Sequence, residues 1–312
     1  KIWRTRGSDP EIQNGLSSAL NISKVTAQLL ANRGIKTAEV ASDFLKCSLA
    51  SCHNPFLLKD MEKAVSRIKK AVSAEELILI YGDYDVDGMT SVTVLYSALK
   101  KLGAKCETYI PNRIEEGYGL NSSAIKKAHK LGVSLIITVD CGITSFNEVA
   151  QASALNIDVI ITDHHEILNS KVPAAHAVIN PLQNDCKYPF KHLAGVGLAY
   201  KLVKALYEGT PHFAEDFLDL VSLGTVADIA PLVGENRVLA KHGLDELNRR
   251  ERVGLKALMD VANLDGTVSA GHIGFVLGPR INAMGRIGSP QKAIELLLHT
   301  DEAAALEIAK IL

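Results

Sequence analysis

Three short aliphatic runs, Leu77–Tyr81, Leu135–Val139 and Val159–Thr162, limit what this chain can fold into more than any other feature. Each is nearly continuous in apolar residues rather than alternating, as a strand must be when helices cover both faces of its sheet. Helical patterns lie between them. Val92, Leu95, Leu99 and Leu102 are spaced 3, 4 and 3 apart and stop before Gly103, a residue suited to a helix end. Ser145 and Glu148 form a capping-box pattern at the start of the next helix. The alternation predicts an α/β fold, a parallel β-sheet flanked by crossover helices, running to about Pro181.

The flanks read differently. Residues 1–60 form an N-terminal appendage with a short helical pattern at Val25, Leu29 and Leu30 and little period from Cys47 to Leu58. After Gly195 the strand signal fades, and apolar residues fall at helical spacing in Leu198–Tyr207, Phe213–Leu223, Val238–Leu247 and Gly254–Val261. Ser289–Pro290 and Thr300–Asp301 read as helix starts. The expected organisation is therefore an appendage (1–60), an α/β domain (61–245) and a mainly helical extension (246–312). The chain opens on Lys1 without an initiator Met, and its last helical pattern reaches Leu312 without a stop signal, so a longer protein is expected at both ends.

Composition removes some functions. With 47% apolar and 22% charged residues the chain is of ordinary globular type, and no apolar run approaches the roughly 18 residues of a membrane span, so no membrane role is expected. Five cysteines, an odd number without a CxxC pair, suit a reducing, cytoplasmic setting and structural roles better than disulfides or a zinc site. A net charge of −1 means that any nucleic-acid partner must be held by local patches.

All three aliphatic runs end in acidic or imidazole side chains. Gly82-Asp83-Tyr84-Asp85-Val86-Asp87-Gly88 follows the first, Asp140-Cys141-Gly142 the second, and Asp163-His164-His165 the third. Ligand sites of open parallel sheets form beyond the carboxyl ends of strands, so these groups should converge. Converging carboxylates raise one another's pKa unless cations compensate, and oxygen ligands with one or two imidazoles suit Mn²⁺ or Mg²⁺, while zinc and cobalt stay open. A two-metal site would activate a water and polarise a phosphoryl group, which points to phosphoester hydrolysis.

Blander readings exist for each piece. Asp83–Gly88 matches the opening of an EF-hand loop, but Val94 stands where that loop needs its bidentate Glu, and a strand precedes it. Asp140 alone reads equally as a turn or helix cap, and His164-His165 alone as a polar pair at a strand end. Three such features after three consecutive buried strands favour the metal site.

In that order, and at intervals of about 50 and 25 residues, Asp83-Tyr84-Asp85-Val86-Asp87-Gly88, Val139-Asp140-Cys141-Gly142 and Asp163-His164-His165 resemble the motifs of the DHH phosphoesterase superfamily. Pro111-Asn112-Arg113, Gly195-Val196-Gly197, Gly224-Thr225-Val226-Ala227-Asp228 and Gly278-Pro279-Arg280-Ile281-Asn282-Ala283 resemble its RecJ exonuclease branch. The resemblance covers essentially the whole chain.

It implies that Asp85, Asp87, Asp140, His164 and Asp228 are ligands of two divalent cations, Mn²⁺ or Mg²⁺, with Asp140 bridging them. Asp83 stands where many relatives carry a ligand His and joins the set as a further candidate. His165 would face the scissile phosphate, and Asp163 would orient a neighbouring imidazole. Arg113, Arg280 and Arg286 would contact DNA phosphates, with Asn112, Asn282, Gly195 and Gly197 as further substrate-binding candidates. The asparagines read equally as groups satisfying turns, and the glycines as residues allowing close helix packing. The implied activity is a metal-dependent 5′→3′ exonuclease that releases 5′-mononucleotides from single-stranded DNA in repair and recombination. Implied partners are a single-stranded DNA with a free 5′ end, a single-strand-binding protein and a helicase. Two readings compete: phosphodiester hydrolysis of short oligonucleotides, cyclic dinucleotides or pyrophosphate, and a non-catalytic replication scaffold on the same fold. Neither the glycine-rich second lobe of DHH proteins nor the oligonucleotide-binding barrel of the RecJ branch is evident, so the DHH lobe is expected to lead toward a lobe outside these residues.

Overall fold

The computed structural model describes residues 7, 9–112, 116–210, 212–287 and 289–312, with Arg286 and Ile287 described by backbone alone. The chain divides into two compact units, Lys1–Cys52 and His53–Leu312. The first unit carries helices α1 (Pro10–Leu20), α2 (Lys24–Asn32) and α3 (Ala38–Lys46) around a small core of Leu16, Ala27, Leu30, Ile35 and Ala41. Of the α2 pattern expected from sequence, Leu30 is buried, but Val25 and Leu29 are exposed and Ala27 takes the inward place. Asp9, Ser23 and Thr37 cap the three helices by accepting from amides three residues on, which is why each helix starts where it does.

After a 3₁₀ turn at Pro55–Leu57, the second unit runs through α4 (Met61–Ser73) and alternates strands and helices: β1 (Leu77–Gly82), α5 (Val86–Lys101), β2 (Lys105–Tyr109), α6 (Ser122–Lys130), β3 (Val133–Val139), α7 (Phe146–Ala154), β4 (Asp158–Thr162) and β5 (Ala177–Ile179). The five strands form one sheet in the order β2-β1-β3-β4-β5, and every pairing is parallel. The α/β expectation and the three strands read from the aliphatic runs agree with this sheet. The edge strands β2 and β5 were not anticipated. Lys-Cys-Glu-Thr-Tyr carries charge on an edge, and β5 is only 3 residues long.

Alternate strand residues serve opposite faces. Leu79, Tyr81, Ile136, Val159 and Ile161 pack with Ile125 of α6 and Val149 of α7. Helices α5 and α8 (Gly195–Leu206) contact the strands as well, and Ile78, Ile80, Leu135, Ile137 and Ile160 are buried with no more than traces of exposure. Each such aliphatic side chain contributes about 1.5–3 kcal/mol by leaving water. Helix α5 ends as expected, with Gly103 at φ 80 just beyond it. Ser145 does stand at the N-cap of α7, but its side chain accepts no capping hydrogen bond, so the expected capping box does not form.

The rest is helical, as expected: α9 (Leu218–Ala227), α10 (Gly234–Arg249), α11 (Val253–Val261), and helices at Gly278–Ile287, Pro290–Leu298 and Glu302–Ala309. The single pattern read over Phe213–Leu223 is two elements, a 3₁₀ turn at Phe213–Phe217 running into α9. All five cysteines are free. Among the described residues no helix is long and apolar enough to cross a membrane.

Candidate metal centre

The register of the sheet brings the site together. Gly82 pairs with Val139, and Val139 with Thr162, so the next residues, Asp83, Asp140 and Asp163, leave three neighbouring strands at one level. Adjacent strands lie about 4.8 Å apart, so their side chains fall within reach of a common ligand. The chain reverses its winding between β1 and β3, the kind of switch point at which a crevice opens beyond the strand ends.

Asp140 turns there with φ 61, a left-handed conformation that Asp tolerates better than most residues. Its Oδ1 lies 3.1 Å from His164 Nε2, which is also 3.8 Å from Asp87 Oδ2 and 3.9 Å from Asp228 Oδ2. Donor atoms converge within 4.8 Å in three groups: Asp140, His164 and His165; Asp87, His164 and Asp228; Asp83, Asp85 and Asp140. Asp140 and His164 each belong to two of them. Both are buried at the atoms concerned, yet Asp140 Oδ1 and His164 Nε2 have no hydrogen-bond partner. Leaving a buried polar atom unsatisfied costs about 1–3 kcal/mol, and a cation placed among these oxygens and nitrogens removes that cost.

The charges say the same. Burial, then the charge of Asp85, pushes Asp83 up to about 7 and Asp228 up to about 6. Burial, followed by neighbouring carboxylates, holds Asp87 and Asp140 well above the usual range. Burial and the nearby His165 pull His164 down to about 4, so its imidazole is neutral at pH 7 and can offer a lone pair. Burial acts to raise Asp163 too, but His165 and two amides outweigh it and its carboxyl sits below the ordinary value. The hydrogen bond that His165 donates to Asp163 in turn raises His165. A crowd of mutually repelling carboxylates beside a neutral imidazole fits divalent cations.

Four of the carboxylates, Asp83, Asp85, Asp87 and Asp163, are aimed by backbone amides. Asp83 Oδ1 accepts from the Tyr84 amide at 2.8 Å, and Asp85 caps α5 by accepting from the Gly88 amide at 3.0 Å. Asp87 receives the Gly195 and Val196 amides, at 2.7 and 2.8 Å, on its two oxygens, at the N-terminus of α8. Asp163 accepts from the Ile143 amide and from the His165 amide and Nδ1, the last at 2.7 Å.

Comparison with known proteins agrees with this geometry. The profile of the DHH family, N-terminal domain, matches residues 77–225. The chain is 44% identical over 308 residues to the single-stranded-DNA-specific exonuclease RecJ of Bacillus subtilis, covering 98% of this chain and 39% of that protein. The structure of RecJ from Thermus thermophilus in complex with Mn²⁺ superposes with a TM-score of 0.83 at 31% identity, over 97% of this chain and 43% of that one. The same protein in complex with Mg²⁺ gives 0.72 at 30% identity, over 97% and 40%. The chain belongs to the DHH family, in its RecJ branch. It spans less than half the length of these RecJ relatives.

Within this DHH chain the fold brings together Asp83, Asp85, Asp87, Asp140, His164, His165 and Asp228, the residues singled out in the sequence, with Asp163 behind His165. The substrate candidates are placed less uniformly. Arg113 lies outside the described residues, as does the side chain of Arg286. Arg280 donates from Nη1 to the Val276 carbonyl at 3.0 Å. Asn282 accepts the Val86 amide at 3.0 Å, and the Asn112 amide donates to Glu116 at 2.9 Å. Of the two uses expected for Gly195 and Gly197, the geometry supports packing. A Cβ on Gly195 would stand 2.6 Å from Asp140 Oδ1, and one on Gly197 3.2 Å from Leu193.

Two supporting residues escaped the sequence reading. Gly285 lets the helix Gly278–Ile287 approach the Tyr84 carbonyl, which a Cβ would meet at 2.2 Å. Tyr118 lies 3.2 Å by its Oη from His165 Nδ1 and 3.4 Å from the Asp140 carbonyl oxygen. Its signal in the sequence was the pair of glycines around it.

Proposed function

We propose that this chain is the DHH catalytic lobe of a metal-dependent 5′→3′ exonuclease that hydrolyses single-stranded DNA to 5′-mononucleotides. The observation that carries the reading is the pairing of partnerless Asp140 Oδ1 and His164 Nε2 at the crossing of three donor groups. Identity to RecJ exonucleases and likeness to their Mn²⁺ and Mg²⁺ structures support it.

Asp83, Asp85, Asp87, Asp140, His164 and Asp228 would hold two ions, Mn²⁺ or Mg²⁺, with Asp140 between them. Such ions supply Lewis acidity toward a phosphoryl group and lower the pKa of a water. The protein's own part is positioning and proton control. Acceptor-only Asp163 fixes the hydrogen of His165 on Nδ1, which leaves the Nε2 lone pair of this half-exposed side chain to meet the scissile phosphate. Neutral His164 keeps its lone pair for ligation. Arg113, Arg280 and Arg286 would take DNA phosphates, with Asn112 and Asn282 as further substrate contacts. Within the second unit, residues 61–245 would be the catalytic domain and 246–312 a helical extension toward the lobe that completes the cleft. The partners would be a DNA strand with a free 5′ end, a single-strand-binding protein and a helicase, in a cytoplasmic setting that suits five free cysteines.

Incubation with Mn²⁺ and 3′-labelled single-stranded DNA bearing a 5′-phosphate tests this. Progressive shortening from the 5′ end that disappears in Asp140→Ala is the expected result. Full-length protein that leaves the strand intact would overturn it.

A further inference from the structure

The connection from β2 to α6 is tied to the sheet at two points. Glu116 accepts from Tyr109 Oη at 2.5 Å and from the Asn112 amide at 2.9 Å. Tyr81, fully buried in β1, donates from Oη to the Gly119 carbonyl at 2.8 Å and accepts from Asn121 Nδ2 at 3.0 Å. The Tyr81 and Tyr109 rings stack with centroids 5.3 Å apart, so the two anchors brace each other. Tyr118 stands between the anchors, flanked by Gly117 at φ 76 and Gly119 at φ 83. These left-handed positions give the turn that carries Tyr118 over the metal centre.

The hydrogens in this corner are assigned by their partners. His165 Nδ1 sits 2.7 Å from a carboxylate oxygen of Asp163, so it bears the hydrogen. Tyr118 Oη, 3.2 Å away, is a second acceptor for that N–H and turns its own hydrogen toward the Asp140 carbonyl at 3.4 Å. Burial and the surrounding carboxylates raise Tyr118, which keeps the hydroxyl protonated and excludes it as a base. With Asp163 alone, the imidazole could pivot about one hydrogen bond. A second acceptor on the same Nδ1–H, completing a three-centre hydrogen bond, narrows that freedom. It also ties His165 to Asp140, the residue shared by two donor groups.

We propose that Tyr118 is a positioning residue for His165, latched in place by Glu116, and that its hydroxyl sets the direction in which His165 Nε2 meets the scissile phosphate. The proposal rests on the nuclease reading. A different use of the half-exposed Tyr118 ring, stacking on a nucleobase, would need the ring but not the hydroxyl.

Full-length protein with Tyr118→Phe, Tyr118→Ala, Glu116→Ala and Glu116→Gln separates the two. A displacement of about 1 Å at a reacting group costs up to about 100-fold, so Tyr118→Phe should lower kcat on single-stranded DNA roughly tenfold, with KM and Mn²⁺ affinity unchanged. Glu116→Ala should lower kcat in the same way. Glu116→Gln should recover most of it, because an amide oxygen still accepts from the Asn112 amide. Alongside, in Mg²⁺-loaded protein labelled with ¹⁵N-histidine, the His165 Nδ1 hydrogen should exchange faster with water in Tyr118→Phe than in wild type. Wild-type kcat and wild-type exchange in Tyr118→Phe would overturn the proposal. A raised KM confined to Tyr118→Ala would assign the ring to base stacking instead. If wild type itself leaves DNA intact, the nuclease reading has failed, and the exchange measurement alone decides whether Tyr118 positions His165.

Discussion

Asp140 Oδ1 and His164 Nε2 face each other at 3.1 Å, buried, without forming a hydrogen bond to each other or to another group. Two lone pairs aimed at one point repel unless something positive lies between them. Asp140→Ala and His164→Ala should therefore each weaken Mn²⁺ binding at least about 100-fold, equivalent to about 2.7 kcal/mol, as read by titration calorimetry. Asp163→Asn acts through His165 rather than on a cation, and should cost activity about 10- to 100-fold while leaving Mn²⁺ affinity nearly intact. Equal loss of metal in Asp163→Asn and Asp140→Ala would contradict this division of roles.

The raised carboxylates tie stability to pH in a defined direction. Asp228 sits at about 6 and Asp83 at about 7 when folded, above the ordinary value near 4 of an unfolded Asp. For groups raised by folding, the stabilising contribution is full below the unfolded value and is lost as pH rises through the folded one. Protein in EDTA should melt several degrees lower at pH 8 than at pH 5. Mn²⁺ should restore the loss at pH 8, releasing protons as it binds near pH 6. A melting temperature in EDTA that does not fall between pH 5 and pH 8 would show that the carboxylates do not repel as their burial implies.

Much of this was readable in advance because of where the residues stand. A strand covered on both faces must be aliphatic throughout, so β1, β3 and β4 announced themselves, and the acids that follow them mark the strand ends. Edge strands carry no such constraint, which hid β2 and β5. Exposed Val25 and Leu29 show the limit of apolar spacing as a guide, since small Ala27 does the packing in α2. Contacts between distant positions were beyond reach. Asn282 holding the Val86 amide spans 196 positions, and Tyr118 meets His165 only because two glycines turn a loop.

Gly195 and Gly197 open α8 with different amounts of room. A Cβ on Gly195 would lie 2.6–2.8 Å from three atoms of Asp140, itself held by the strand end, while the nearest atom to a Cβ on Gly197 is the Leu193 Cδ2 tip at 3.2 Å. Gly195→Ala should push the helix away from Asp87 and Asp140, costing about 1–3 kcal/mol of stability. It should also lower Mn²⁺ affinity at least about tenfold, because the Asp87 amide bonds position a ligand as an outer shell does. Gly197→Ala should cost under about 1.5 kcal/mol with unchanged affinity, since a side-chain tip can yield. Thermal melts and metal titrations of the two variants, side by side, check the contrast.

The middle of α8 carries a buried charge pair. Lys201, fully buried, places Nζ 2.6 Å from Glu235 Oε1 and 2.8 Å from the His53 carbonyl, and Glu235 also accepts from the His53 amide and from Tyr188 Oη. Because the helix whose first amides hold Asp87 is anchored here, the pair should matter for the fold before it matters for the site. Lys201→Met leaves Glu235 charged and short of a partner, which should destabilise the protein by about 3–5 kcal/mol. Adding Glu235→Gln removes the stranded charge while keeping one acceptor oxygen for the His53 amide or Tyr188 Oη, so the double variant should regain part of the loss. Chemical denaturation of the two single variants and the double variant measures the coupling. Strict additivity of the single losses would mean that Lys201 and Glu235 do not act as a pair.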